Sequence, residues 1–306
     1  MNQDPGADAA RLVATRMGID TYQEHVVYMR EDCHVCRSEG FAAQSRVQVA
    51  NGHHIIIATL NVVKPDLLEP NSIGLSEAAR LALAVDPGAR QTVSHPKPLH
   101  SLSYVRRKIF GHALDRDAIS AIIGDVAAGR YSDVQLAALV TACAQSTLST
   151  DEVLHLTKAM IDVGETIDWA GRQIVDKHCV GGLPGNRTSP IVVSIVASQG
   201  LLIPKTSSRA ITSPAGTADV METMTTVDLD IAAIRRVVEK ESACLVWGGA
   251  VKLSPADDIL IRVERSLNLD SEGQLVASVL SKKRAAGACS FARNAAPASR
   301  PRQPSE

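Results

Sequence analysis

Asp176-Lys177-His178-Cys179-Val180-Gly181-Gly182-Leu183-Pro184-Gly185-Asn186-Arg187-Thr188-Ser189-Pro190 runs directly into the apolar stretch Ile191–Ser198, which Gly200 ends. Glycines let a backbone approach a ligand closely, and a helix start offers free N–H groups and the positive end of its dipole. Ser189 stands where a helix N-cap belongs, and Pro190 suits the first helical position. Lys177 adds a full positive charge and Ser189 a hydroxyl donor. The stretch therefore reads as a cradle for an anion such as phosphate, although a structural glycine turn before a helix has the same composition. A Walker-type loop is disfavoured, because Gly-Asn-Arg-Thr stands where Gly-Lys-Ser/Thr is required.

A second polar segment follows, Lys205-Thr206-Ser207-Ser208-Arg209-Ala210-Ile211-Thr212-Ser213-Pro214-Ala215-Gly216-Thr217-Ala218-Asp219, and leads into a helix expected over Asp219–Met224. Its hydroxyls beside one arginine suit a second anion- or sugar-contacting loop. Leu201–Pro204 between the two loops is strand-like, and Ala243–Trp247 reads as a buried strand running into Gly248-Gly249. Glycine-rich loops alternating with apolar helices and short strands indicate an α/β unit.

Towards the N-terminus the pattern changes. The first ~20 residues read as a frayed polar leader. Val26-Val27-Tyr28 is a short strand, and Arg46–Ala50 and His54–Leu60 flank Asn51-Gly52, the signature of a hairpin with a type I′ turn. A helix is expected over Ser76–Ala84, and this β-rich part ends near Asp86-Pro87-Gly88. Pro96 and Pro98 mark Ser94–Ser101 as a linker. The chain is then helical to about Ile167. Asp115 caps a helix that Gly129 stops, and Ser132 caps the next, whose Leu136, Leu139, Val140 and Cys143 share a face. Ser149-Thr150-Asp151-Glu152 is a capping box for a helix closing at Gly164. Short helices on short loops make a bundle.

The composition excludes some classes of function. A formal net charge of −1 gives no footprint for a nucleic-acid polymer. No apolar run approaches the ~20 residues a membrane helix needs. Met1-Asn2-Gln3-Asp4-Pro5 lacks the basic and apolar blocks of a signal peptide, so a cytoplasmic location with reduced cysteines is expected. Cys33-His34-Val35-Cys36 has no second pair at zinc-ribbon spacing and reads as a turn or half a site. His53 and His54 read as strand-edge residues, and Asp257-Asp258 as helix-capping rather than magnesium-binding.

Asp-Lys-His-x-x-Gly-Gly at 176–182, Ser-Ser-Arg-Ala-Ile-Thr-Ser-Pro-Ala-Gly-Thr at 207–217 and Pro-Ala-Asp at 255–257 resemble the thymidine/pyrimidine-nucleoside phosphorylase family. The resemblance covers about Val26 to Lys283 and fits best the longer subgroup, which also includes archaeal AMP phosphorylases. Anthranilate phosphoribosyltransferases share the architecture and looser forms of both loops. The resemblance implies a mixed α and β fold in three parts: a β-rich domain over 1–94, a helical domain over 95–167 with 255–283, and an incomplete α/β phosphate-binding domain over 168–254. It implies phosphorolysis of a pyrimidine nucleoside such as thymidine, or of a nucleoside 5′-monophosphate, giving free base and (deoxy)ribose-1-phosphate.

By the same resemblance, Lys177, Ser189, Ser207 and Thr217 contact phosphate. Gly182, Ser208, Arg209, Ala210, Ile211, Thr212, Ser213, Ser278 and Lys282 contact the nucleoside or nucleotide. Either Asp270 or His178 protonates the leaving base. Cys179, where the thymidine enzymes usually carry serine, and Ser213, where they carry histidine, point towards the AMP-phosphorylase-like subgroup. Inorganic phosphate is the co-substrate, no further cofactor or metal is implied, and a complete member is expected to be a homo-oligomer. Arg284–Glu306 is rich in Ala, Arg, Ser and Pro and is expected to be disordered, as an out-of-frame end of a truncated member would be. The alternative reading is an inactive remnant that still binds phosphate or nucleotide.

Overall fold

The structure, a computed structural model, describes residues 11–145, 147–178, 187–209, 215–269, 271–288 and 290–293. The chain divides into two compact units, Met1–Phe110 with Gly124–Leu139, and Gly111–Ile123 with Val140–Glu306.

The first unit is built on β1 (Arg11–Arg16), β2 (Val26–Arg30), α1 (His34–Glu39), β3 (Arg46–Ala50), β4 (Ile55–Val63), β5 (Ser72–Leu75), α2 (Glu77–Leu83) and β6 (Arg90–Ser94). Its six strands close into a barrel in the order β1-β5-β2-β4-β3-β6. Alternate residues point inward, as the period of two in a strand requires: Leu12 and Ala14, Val27 and Met29, Val47 and Val49, Ile56, Ala58 and Leu60 are all buried. The barrel therefore includes residues expected to be a frayed leader. Arg11–Arg16 pairs in parallel with β5 and antiparallel with β6, and Leu12 and Ala14 supply its two inward positions. Residues 1–10 of that leader lie outside the described residues.

The β3–β4 hairpin forms in the expected place, with Ala50 opposite Ile55. Its turn is not type I′, since of Asn51 and Gly52 only the glycine has positive φ, at 93°. The Asn51 side chain instead accepts the N–H groups of His53 and His54 at 2.9 and 2.8 Å, which closes a longer loop. The two histidines are exposed loop residues rather than part of a strand. Ser76 caps α2 by accepting the Ala79 N–H. After the proline-containing segment, α3 (Ser101–Ile109) buries Ser101, which receives the Tyr131 hydroxyl at 2.9 Å and donates to Asp125 at 2.5 Å.

Next along the chain come α4 (Arg116–Ala127), α5 (Asp133–Gln145) and α6 (Thr150–Asp162). Their starts are as expected: Asp115 accepts the Ala118 N–H at 2.8 Å, Ser132 exchanges bonds with Gln135, and Ser149 and Glu152 form a capping box. Leu136, Leu139, Val140 and Cys143 are all buried.

The second unit continues with β7 (Val175–His178), α7 (Thr188–Ser198), β8 (Ile203–Ser207), α8 (Thr217–Glu222), α9 (Ile231–Glu241), β9 (Ala243–Trp247), α10 (Pro255–Leu267), α11 (Glu272–Ala285) and β10 (Ser290–Arg293). β10 pairs in parallel with β7, and β8 with β9. A parallel bridge between Ile174 and Leu202, with the Val175 N–H on the Leu202 carbonyl at 3.0 Å, links the two pairs. All four strands thus run the same way in the order β10-β7-β8-β9. α9 covers the sheet through Ile234 and Val238, and α11 lies along α6.

The composition predicts disorder from Arg284 onward, and the structure differs. Ala285, Ala286 and Ala288 are buried in the core of the α/β part, and the Trp169 indole N–H donates to the Ala286 carbonyl at 2.8 Å. Gly287 has φ of 88°, and a Cβ there would lie 2.5 Å from the Trp169 ring. Small side chains bury little area each, yet here they let a turn lie flat under one indole. Of the rest, 290–293 form β10, and 294–306 lie outside the described residues. No helix among the described residues is long and apolar enough to cross a membrane.

Candidate active site

In an open parallel sheet, loops at the carboxyl ends of the strands gather on one edge, and ligands bind there. β7 ends at His178, β8 at Ser207 and β9 at Trp247, followed by Gly248-Gly249, so His178, Ser207 and Trp247 share that edge.

Lys177 is the central group. It is 2% exposed, and its Nζ donates to Thr188 Oγ1 at 3.0 Å and to Ser189 Oγ at 3.1 Å. Ser189 is therefore not the N-cap. α7 begins at Thr188 with Arg187 in the cap position, earlier along the chain than the proline suggested. The consequence is chemical, because the Ser189 hydroxyl turns to the ammonium instead of capping the backbone. A buried ammonium and two hydroxyls at the first turn of an eleven-residue helix form a donor set for an oxyanion.

Behind Lys177 lies a buried ion pair. Asp176 Oδ1 accepts the Lys177 main-chain N–H at 2.6 Å, and Asp176 Oδ2 is 2.7 Å from Lys283 Nζ. Lys283, in the last turn of α11, also donates to Thr206 O at 2.7 Å and to Thr206 Oγ1 at 3.1 Å. Burying an ion pair is costly unless further hydrogen bonds hold it, and Thr206 supplies them. Lys205, also buried, donates to the Thr206 carbonyl. Ser207 donates to the Val246 carbonyl at 3.2 Å and so ties β8 to β9.

Lys282 and Ser278 converge on the start of α10. Lys282 Nζ is 2.7 Å from Asp257 and 2.8 Å from Asp258, and Ser278 donates to Asp257 at 2.8 Å. The aspartates thus hold a lysine in addition to opening a helix. Burial alone would lower the Lys282 pKa, but the two carboxylates outweigh it and raise it. Burial raises that of Asp258, with Lys282 opposing. The Lys282 stem packs over Gly248, whose N–H bonds to the Ser207 carbonyl at 2.9 Å.

Arg209 is held by three carboxylates, Glu222 at 2.7 Å, Asp219 at 3.3 Å and Asp228 at 3.9 Å, and lies 4.6 Å over the Trp247 ring. Its guanidinium ties the chain just past β8 to α8. Asp219 also accepts the Gly216 N–H at 2.8 Å, which fixes the start of α8 where Thr217 is buried. Ser208 is exposed, and His178 is half-buried at the end of β7. Gly182, Ala210, Ile211, Thr212, Ser213 and Asp270 lie outside the described residues. Sequence reasoning missed Asp176, Lys205, Lys283 and the Asp257/Asp258 clasp. The adjacent Lys282-Lys283 pair was the signal for two of these groups.

Comparison with known proteins agrees with this architecture. Residues 102–164 match the helical bundle domain of the glycosyl transferase family, and residues 171–281 match its a/b domain. A Polaromonas protein named "Putative thymidine phosphorylase" is 62% identical over 277 residues, 90% of this chain and 54% of that protein. Proteins of the same name from Maricaulis maris and Legionella pneumophila are 59% and 61% identical over 90% and 89% of the chain, and 54% and 53% of their own lengths. The chain spans about half the length of the curated relatives it matches. The crystal structure of anthranilate phosphoribosyltransferase from Thermus thermophilus shares the fold, with a TM-score of 0.51 at 20% identity over 62% of this chain and 57% of that one.

Proposed function

Because the chain belongs to the glycosyl transferase family, alongside the proteins named as thymidine phosphorylases, we propose that it transfers a pentosyl group from a pyrimidine nucleoside or nucleoside 5′-monophosphate to inorganic phosphate. A phosphate oxygen attacks C1′, the C1′–N bond breaks, and the bonding pair leaves with the base, which takes up a proton. The products are free base and (deoxy)ribose-1-phosphate.

The observation that carries this reading is Lys177, a buried ammonium beside two hydroxyls where β7 passes into α7. Phosphate bound there would be presented by Lys177, Ser189, Ser207 and Thr217. Loop 208–213 with Gly182, Ser278 and Lys282 would hold the sugar and base. As the bond to C1′ loosens, positive charge grows on the sugar and negative charge on the base, so fixed donors and positioning dominate the rate. His178 or Asp270 would deliver the proton to the base. The enzyme is read as working in the cytoplasm.

The test is a panel of thymidine, uridine, AMP and CMP, each with and without phosphate, analysed for released base. Release only in the presence of phosphate supports the proposal and separates nucleoside from nucleotide as substrate. Binding of phosphate or nucleotide without release would instead mark a non-catalytic binding protein of this family.

A further inference from the structure

Cys33-His34-Val35-Cys36 stands where β2 gives way to α1 and has no part in the proposed reaction. Cys33 is the residue before the helix and Cys36 the third residue within it, so one turn of backbone brings the two side chains together. Both are free thiols. The Cys36 thiol donates to the Cys33 sulfur, which also accepts the main-chain N–H groups of Val35 and Cys36. Both belong to the barrel core with Val35 and Phe41, yet Cys33 is flanked by the exposed Asp32 and His34. The Asp32 carboxylate is taken up by Arg30, at 2.7 and 2.6 Å, which offsets its charge beside the sulfur. We propose that Cys33 and Cys36 form a thiol–disulfide exchange site that takes low-molecular-weight disulfides and is converted by them to a Cys33–Cys36 disulfide.

Donors gathered on one sulfur favour its thiolate, which is the nucleophile of exchange. The same contact, with burial, raises the pKa of Cys36, so Cys33 ionises first and Cys36 keeps its proton. The Cys33 thiolate attacks one sulfur of the small disulfide. That S–S bond breaks, and one half leaves as a thiolate that takes up the proton Cys33 gave to water. Cys33 is then in a neutral mixed disulfide, so the contact that held the Cys36 proton is lost. Cys36 releases its proton and attacks the Cys33 sulfur, and the second half leaves as a thiol. The protein pair loses two electrons and the small disulfide gains them. Thiols that only fill a core need no donors turned on one sulfur. The remaining described cysteines, Cys143 and Cys244, have no cysteine neighbour within three residues and serve as internal controls.

The experiment treats the folded full chain with glutathione disulfide and maps the products by peptide mass spectrometry without reduction. The Cys33–Cys36 link should form at least about tenfold faster than any adduct at Cys143 or Cys244, and excess reduced glutathione should reverse it with the circular dichroism unchanged. Cys36→Ser should accumulate one glutathione on Cys33, since no second thiol resolves it. Cys33→Ser should react at Cys36 at least about tenfold more slowly than the parent reacts at Cys33. Should either variant not fold, the parent decides through its own comparison with Cys143 and Cys244. A pair that stays reduced while the chain is folded, or that reacts no faster than those two thiols, overturns the proposal. Equal rates in Cys33→Ser and the parent overturn it as well. None of these outcomes depends on phosphorolysis, so the site stands or falls apart from that reading.

Discussion

The ammonium of Lys177, near the end of β7, stands 3.1 Å from the hydroxyl of Ser189, twelve residues on, in the first turn of α7. A strand places the cation and a helix places the hydroxyl, so their separation is set by backbone elements rather than by loose side chains.

Substitution of Lys177 by alanine should weaken phosphate binding by ~1.5–3 kcal/mol, the worth of a hydrogen bond to a charged group. Ser189→Ala should lose ~1 kcal/mol of phosphate affinity, since Thr188 remains. With Arg187 rather than Ser189 in the cap position, Ser189→Ala should not carry the further stability loss of a broken cap. Calorimetric titration of both variants, with thermal melts, checks each point. Unchanged affinity in Lys177→Ala would remove that residue from the site.

How far the sequence carried can be judged from these same residues. The buried cation and the helix that follows were legible, because composition and helix-start chemistry are local. Which way Ser189 points was not, because it depends on whether α7 is capped at Ser189 or already at Arg187. Lys283 was hidden for another reason: its partner Asp176 lies more than a hundred residues earlier, and only the parallel sheet brings them together. The barrel strand Arg11–Arg16 was missed because six residues with two inward side chains give almost no periodic signal. The helix caps at Asp115, Ser132 and Ser149 were read correctly because each is complete within four residues.

Gly287→Ala should destabilise the fold by ~1–3 kcal/mol, through a strained positive φ and overlap with the Trp169 ring. Urea denaturation measures it. A change within about 0.5 kcal/mol, typical of a loose surface position, would mean that residues 285–288 are not packed as described.

The thiols should differ in their pH response. The hydrogen bond from Cys36 pulls the Cys33 pKa down to about 6, whereas burial pushes Cys244 up to about 12, with Asp176 adding to it. Alkylation of Cys33 should therefore rise as pH passes through the sixes and then level, while Cys244 stays unreactive until the protein unfolds. Cys36→Ala removes the donor and should shift the Cys33 profile towards that of an ordinary thiol. Mass spectrometry of iodoacetamide-treated protein across pH reads both, and equal labelling of Cys33 and Cys244 at neutral pH would contradict the geometry.

For the proton donor, Asp270→Asn should lower turnover far more than substrate binding, and bases that are good leaving groups should be partly spared. A uniform loss across leaving groups would assign Asp270 a structural part and pass the role to His178, whose replacement by glutamine should then show the leaving-group dependence.

Turnover in fully 18O-labelled phosphate, followed by phosphorus NMR and mass spectrometry, tests phosphorolysis at C1′. Attack by a phosphate oxygen yields a pentose-1-phosphate that retains every labelled oxygen, including the one bridging phosphorus and C1′, formed in step with free base. Release of base with an unphosphorylated sugar, or no reaction and no phosphate binding with any substrate of the panel, would contradict it.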